Sequence, residues 1–300
     1  MEKLSDFYIE KAKNDLNETE SRKEQSIKQF YEWLSKHPFI TKCEIDPSQI
    51  VQFLRARKYQ MSKVYESFNK IIKIHQNFSY ILNYSNLYEL NEIYEKGPFL
   101  IMKNYDKNGR RICIFRHKLL ENLNVTFHNI LKLNQMISAF LLAESEVQIC
   151  GIVTIHDVRD ISMKYMKIMD VNILGKVASI SEFGALRLKQ IIILGLPAIA
   201  NSLFEIVKTF LNDKIKNRID ICKNVEDLTK VLDVKDLTVE YGGTDNSNDC
   251  IKYHKKAFDI ATIKLINFLN NLEVDEEKMR NYENKTNFED FTSLRKLEID

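Results

Sequence analysis

Hydrophobic positions recur at helical spacing through the first third of the chain and at strand spacing only beyond it. Residues 1–36 are polar and alternate in charge, which predicts one or two surface helices. The second is expected near 25–36, with Ile27, Phe30, Tyr31 and Leu34 on one side. Asp46-Pro47-Ser48-Gln49 then places an acid at the N-cap, a proline at the first helical position and a glutamine at the third. That is a capping box, and it opens a short helix through Phe53-Leu54-Arg55-Ala56-Arg57. Ser62 is positioned to cap a further helix, with Val64, Phe68, Ile71, His75 and Phe78 along one stripe. Residues 1–95 read as all-helical.

From Phe99 the period shortens. Phe99 to Lys103 and Arg111 to Arg116 are apolar runs joined by Asp106-Lys107-Asn108-Gly109, a β-hairpin with a glycine turn. A helix from about Asn129 to Glu146 follows, then a β-branched strand from Gly151 to Val158. Met163 to Ile180 reads as helix and Leu186 to Leu194 as a buried strand. Pro197 opens a helix to about Phe210, Asp213 to Asn217 makes one more turn, and Arg218 to Cys222 is a short strand. Alternation of this kind implies an α/β fold with a largely parallel sheet and crossover helices. A last helix is expected from Asp249 to Leu272, and the remaining residues, with nine acids against five bases, read as a loosely held tail.

Composition narrows the class. The 44% hydrophobic and 29% charged content is that of a globular protein. The net charge is only +2, so any basic site must arise from local arrangement. Five dispersed cysteines with no C-x-x-C pair predict reduced thiols and a cytosolic setting. The first seventeen residues lack the apolar core of a secretory signal. The longest uncharged apolar stretch, Gln190 to Phe204, is interrupted by Gly195 and Pro197 and is too short to span a bilayer.

Catalytic motifs are missing: no G-x-S-x-G, no P-loop, no G-x-G-x-x-G. The histidines (His37, His75, His117, His128, His156, His254) never fall at a spacing that puts two on one metal. No metal, cofactor or catalytic residue is expected. Asp157, Arg159 and Asp160 end a strand, where they could form an ion pair or, in a hydrolase, a pair of catalytic acids.

Three segments carry a family resemblance. Ile50-Val51-Gln52-Phe53-Leu54-Arg55-Ala56-Arg57-Lys58-Tyr59 is similar to a "FLRARKF" helix, and Gly151 to Val158 to a "GIVVIFDLEG" strand. Val207 to Ile219, followed at Glu240 by "EYGG", resembles "VKPFLxEKIKxRI … LPxEYGG". Together they resemble the CRAL-TRIO lipid-carrier family, in the branch with the α-tocopherol transfer protein and the retinaldehyde-binding proteins, over roughly residues 25–270. The chain departs from the pattern at His156-Asp157-Val158-Arg159-Asp160, at Phe183-Gly184 and at Gly195-Leu196-Pro197.

The resemblance implies an all-helical N-terminal domain (1–95), a CRAL-TRIO domain (96–246) and a C-terminal helix with an acidic tail (247–300). In that fold a mostly parallel sheet is the floor of an apolar pocket closed by a helical lid. Carried over by position, the ligand-binding residues are Leu131, Asn134 and Ser138; Ile152, Thr154 and His156; Val177 and Ile180; Ile191 and Ile193. The lid is Ala198 to Phe210, with Ile199, Leu203, Ile206 and Phe210 in a stripe. Arg57, Arg187, Lys189, Lys214 and Arg218 would form a basic groove for phosphoinositide headgroups. The expected function is binding and transfer of one lipophile (tocopherol-, retinoid-, carotenoid- or isoprenoid-like) by a cytoplasmic, transiently membrane-associated protein. It is expected to act without catalysis or nucleic acid, with a monomer as the working oligomeric state. A phosphoinositide-responsive adaptor, a phosphatidylinositol-type phospholipid transfer protein and a lipid-ester hydrolase on Asp157 and Asp160 stay open as alternatives.

Overall fold

Thr19 caps the second helix: its hydroxyl accepts from Arg22 N (3.2 Å), so the helix begins at Glu20, five residues ahead of the expected start near 25. That helix is α2 (Glu20–Ser35), preceded by α1 (Asp6–Leu16). Phe30 is fully buried, whereas Tyr31 faces outward and spends its hydroxyl on Ile45 O (2.9 Å). The computed structural model describes residues 4–77, 83–123, 125–170, 173 and 185–282.

The capping box forms as expected and opens α3 (Pro47–Ala56). Asp46 Oδ1 accepts from Ser48 N and Gln49 N at 2.8 and 3.1 Å, and Gln49 Oε1 accepts from Asp46 N at 3.0 Å. The next helix, α4 (Met61–Asn77), starts one residue ahead of Ser62, so that serine lies inside it and does not cap it. Its buried stripe is Val64, Phe68 and Ile72, with Ile71 and His75 half-buried beside it; Phe78 lies outside the described residues.

The segment read as all-helical also holds a strand, β1 (Ile40–Lys42), which pairs antiparallel with β7 (Glu273–Val274). The beginning of the expected tail is therefore part of the fold. Leu272 and Met279 pack into the same cluster as Phe30, Phe39, Leu54 and Phe68. Residues 283–300 lie outside the described residues.

Five strands form the main sheet in the order β2 (Phe99–Tyr105), β3 (Arg111–Arg116), β4 (Ile152–Asp157), β5 (Leu188–Leu194) and β6 (Ile219–Cys222). β2 and β3 are the expected hairpin; the other neighbours are parallel. Asp106 Oδ1 holds the hairpin turn through Asn108 N (2.9 Å) and Arg110 N (2.8 Å). The described connecting helices are α5 (Leu87–Glu95), α6 (His117–Asn122), α7 (Phe127–Ala143), α8 (Ser145–Cys150), α9 (Met163–Ile168), α10 (Asn201–Thr209), α11 (Asp213–Lys216) and α12 (Ser247–Asn270).

Two of these correct the sequence reading. The expected 129–146 helix breaks at Glu144, which takes an extended conformation while its carboxylate accepts from Arg111 Nε and Nη2 at 2.9 and 2.8 Å. The expected 163–180 helix ends at an extended Met169.

Strand register gives the sheet two unequal faces. Ile112, Ile114, Val153, Ile155, Ile192 and Leu194 point one way and are all 0% exposed. Ile152, Thr154, His156, Ile191 and Ile193 belong to the opposite face. At the β2 side α12 covers the sheet, where Tyr94 and Phe258 stack with centroids 3.9 Å apart and Phe140 tilts against Phe258. The N-terminal helices are tied to α8 by Arg55, which donates to both carboxylate oxygens of Glu18 at 2.8 Å and to Gln148 Oε1 at 2.7 Å.

Replacing Asp46 by Ala removes the acceptor for two helix N–H groups. It should lower stability by ~1 kcal/mol, read as a reduced urea midpoint at unchanged slope.

Candidate functional site

The expected ligand face is made by β4 and β5. Ile191 and Ile193 are 8% exposed each and belong to no described hydrophobic cluster, unlike Ile192 and Leu194 behind them. Thr154, beside Ile191 in register, is buried with its Oγ1 lacking a hydrogen-bond partner among the described residues. His156 stacks on Phe115 (centroids 4.7 Å, 9° between planes), and its Nδ1 lies 3.1 Å from His117 Nε2. His117 Nδ1 lies 2.5 Å from the buried Tyr165 hydroxyl. Burial holds both rings neutral, taking His156 down to about 4 and His117 to about 3. His117 and Tyr165 carry no sequence signal tying them to His156; parallel pairing of β3 with β4 and the approach of α9 bring them together.

The other residues expected here divide. Leu131 and Ile152 sit in the main core. Asn134 and Ser138 are half-buried on α7, where the Ser138 hydroxyl donates to Asn134 O (2.7 Å). Val177 and Ile180, like Phe183 and Gly184, lie outside the described residues. The Ala198–Phe210 segment is a 3₁₀ turn followed by α10, in which no residue is buried. Ile199, Ile206 and Phe210 are 39%, 41% and 39% exposed, with Leu203 half-buried between them. An apolar stripe therefore faces solvent.

The five expected cations come together. Arg57 closes α3 and its Nε donates to Ser67 Oγ (2.5 Å). Arg187 donates to Ile149 O and Arg218 to Leu188 O, so both guanidinium groups are anchored on backbone carbonyls. Arg187 precedes β5, and the register steps there from Leu188 to Gln190, leaving Lys189 in a bulge. The bulge departs from simple strand alternation, yet both side chains come up against the same spot: a Cβ on Gly151 would stand 3.1 Å from Arg187 Cβ and 2.9 Å from Lys189 Cγ. Burial, then Arg187 and Arg218, push Lys189 down to about 8. Lys214 is lowered by burial and then by Arg218, Arg187, Lys58 and Arg57. Lys58 is thus a sixth member, turned into the cluster by the left-handed residues Lys58 and Tyr59 that end α3. Asp15 of α1 is the acid felt by Arg187 and Lys189.

Asp157 is spoken for. Arg159 donates to it through Nε (2.8 Å) and Nη2 (2.6 Å), and Tyr241 OH donates at 2.8 Å. Burial alone would raise its carboxyl, but these bonds carry it below the usual range. Asp160 is exposed, at a left-handed φ of 57°. With Arg116, Lys118 and Arg159 the two acids line a recess of about 230 Å³. The geometry is an ion pair at a strand end. Among the described residues no group of three or more His, Cys, Asp or Glu could hold a metal, and no helix is long and apolar enough to cross a membrane.

The CRAL/TRIO domain profile matches residues 95–243, from the end of α5 through the glycine pair Gly242-Gly243. Those residues are a CRAL/TRIO domain. Clavesin-1 of Rattus norvegicus is 25% identical over 248 residues, covering 80% of this chain and 69% of that protein. Alpha-tocopherol transfer protein-like of Homo sapiens is 23% identical over 251 residues, covering 80% and 71%. Among solved structures, the crystal structure of Sfh5 superposes with a TM-score of 0.41 at 18% identity, over 67% of this chain and 77% of that one. The CRAL/TRIO domain contains all of the sheet face and four of the six cations; Arg57 and Lys58 come from the helices before it.

Gly151 permits this arrangement. Its φ of 82° and ψ of −163° suit glycine alone, and a Cβ there would stand 2.2 Å from Arg187 O and 2.9 Å from Lys189 Cγ. Gly151→Ala should cost about 3 kcal/mol or more in chemical denaturation, a loss larger than that of an ordinary surface substitution.

Proposed function

We propose that the chain carries one lipophilic molecule against the β4–β5 face and exchanges it at anionic membranes through the six-cation cluster. One observation carries this reading. Along a single run of chain, Arg187 and Lys189 stand at the start of β5 and the buried Ile191 and Ile193 follow within it. A headgroup site and an apolar site thus share one strand. The CRAL/TRIO domain and a relative named for tocopherol transfer support the same class of ligand: tocopherol-, retinoid-, carotenoid- or isoprenoid-like. The exposed stripe of Ile199, Ile206 and Phe210 supplies apolar surface for meeting a bilayer. No step of this function breaks or makes a covalent bond.

The cluster suits a polyanion. Lys189 and Lys214 are held below their usual titration range by burial and then by neighbouring cations, and a phosphoinositide headgroup would relieve that repulsion. Each cation at an anionic surface contributes about 1 kcal/mol. Arg187 and Arg218 hold carbonyls, so Lys58, Lys189 and Lys214 are the residues to neutralise. The triple variant Lys58→Gln/Lys189→Gln/Lys214→Gln should bind phosphoinositide vesicles about 100-fold more weakly in co-sedimentation while retaining lipophile recovered by extraction and mass spectrometry. Undiminished vesicle binding would remove the cluster from the function. Absence of any stoichiometric lipophile from the wild-type chain, with no transfer between vesicles, would remove the carrier.

Lys189 also sets a pH dependence. Its folded pKa, about 8, lies below its ordinary 10.5, so between these values the unfolded chain binds more protons. From this group alone, stability rises with pH through that window. Binding an anion favours the charged form, so affinity for phosphoinositide vesicles should fall as pH rises from 7 to 10. Lys189→Gln should flatten that titration.

A further inference from the structure

We propose that His156 and Thr154 make the apolar site selective for a lipophile ending in a carbonyl-type oxygen over the matching alcohol. The inference rests on the carrier reading and adds the chemistry of the ligand's polar end.

The direction of the hydrogen-bond chain follows from counting protons. Tyr165 is 4% exposed, and His117 Nδ1 is the one hydrogen-bond partner of its hydroxyl among the described residues. If that hydroxyl donates to His117 Nδ1, the single proton of neutral His117 sits on Nε2 and is donated to His156 Nδ1. The single proton of His156 is then on Nε2. The reverse order would leave a buried tyrosine O–H with no acceptor among the described residues, the costlier arrangement. Depressed basicity from burial keeps both rings in their one-proton forms at neutral pH. His156 is therefore a donor, held in place by its stack on Phe115.

Thr154 stands two residues earlier on the same strand face, its buried hydroxyl without a partner among the described residues. Across the sheet it lies between Cys113 of β3 and Ile191 of β5, with Ile152 next on its own strand, and none of them gives its hydroxyl a hydrogen bond. A carbonyl oxygen has two lone pairs and can accept from both His156 Nε2–H and Thr154 Oγ1–H, so every hydrogen is placed. An alcohol brings a third hydrogen. It can give that hydrogen to Thr154 Oγ1, but the Thr154 hydrogen then has no acceptor; in the opposite arrangement the ligand's own hydrogen has none. A carboxylate would bury a charge beside neutral partners and is disfavoured more strongly. One unplaced hydrogen corresponds to a preference on the order of ten-fold.

The test offers the full chain an equimolar mixture of geranylgeranylacetone and the secondary alcohol made by its reduction, both in phosphatidylcholine vesicles. Protein-bound lipophile is recovered and quantified by mass spectrometry. The ketone should be enriched about ten-fold on the wild-type chain. His156→Phe and Thr154→Val should each bring the ketone-to-alcohol ratio of the recovered lipophile towards one, whatever the total recovered. Uptake of both compounds without preference, or a preference unchanged in His156→Phe, would overturn the inference and leave the carrier reading standing. Uptake of neither would count against the carrier reading itself. Proton positions on wild-type chain labelled with ¹⁵N-histidine decide the donor assignment independently of uptake and of how the variants fold. Nε2–H on both His117 and His156 is expected, and Nδ1–H on His156 would sink the proposal.

Discussion

A backbone that must pass within van der Waals contact of another backbone can do so only where a side chain is missing. Gly151 is that place, at the entry to the sheet's central strand. Arg187 O accepts from Ile152 N (2.9 Å) immediately beside it, and the side chains of Arg187 and Lys189 close over the glycine. From this contact β5 takes its register against β4. The register sets Ile191 beside Thr154 and Ile193 beside His156. A displaced β5 would move the cationic and the apolar halves of the site together.

The two halves obey opposite electrostatic rules. On the apolar side, burial lowers the basicity of His117 and His156 until they act as neutral, directional hydrogen-bonding groups. On the basic side, six cations gather, and burial followed by their mutual repulsion lowers Lys189 and Lys214, with Asp15 the opposing acid beside Lys189. The arginines tolerate the crowding by donating to Ile149 O and Leu188 O, carbonyls that pay out no countercharge. The lysines have no such anchor among the described contacts, and burial together with the neighbouring charges lowers Lys189 and Lys214. Such a cluster costs stability in the free chain, and a polyanionic surface relieves that cost.

What could be read from sequence divides by the range of the interaction. The capping box at Asp46, the Asp106–Gly109 turn and the strand alternation in β4 are determined within a few residues, and each forms where expected. Features decided by distant partners were not legible. Glu144 leaves its helix where it meets Arg111, 33 residues away, and no local propensity marks the break. Lys189 falls in a bulge because of how β5 meets β4, an irregularity that period-two reasoning does not anticipate, although its side chain and that of Arg187 still meet at Gly151. Lys58 follows Arg57 directly, and two cations where a helix must end were the available hint. The link from His156 through His117 to Tyr165 spans two elements and needed the sheet to be assembled first.

The pairing of β1 with β7 has a consequence for how the chain is made. Residues 40–42 leave the ribosome early, while 273–274 follow more than two hundred residues later. Synthesis proceeds at roughly 5–20 residues per second, so the N-terminal cluster waits ten seconds or longer, on the order of magnitude, for Leu272 and Met279. During that interval Phe39 and Ile40 are an uncovered hydrophobic edge beside the exit tunnel. A cluster begun before the sheet is thus completed only after it.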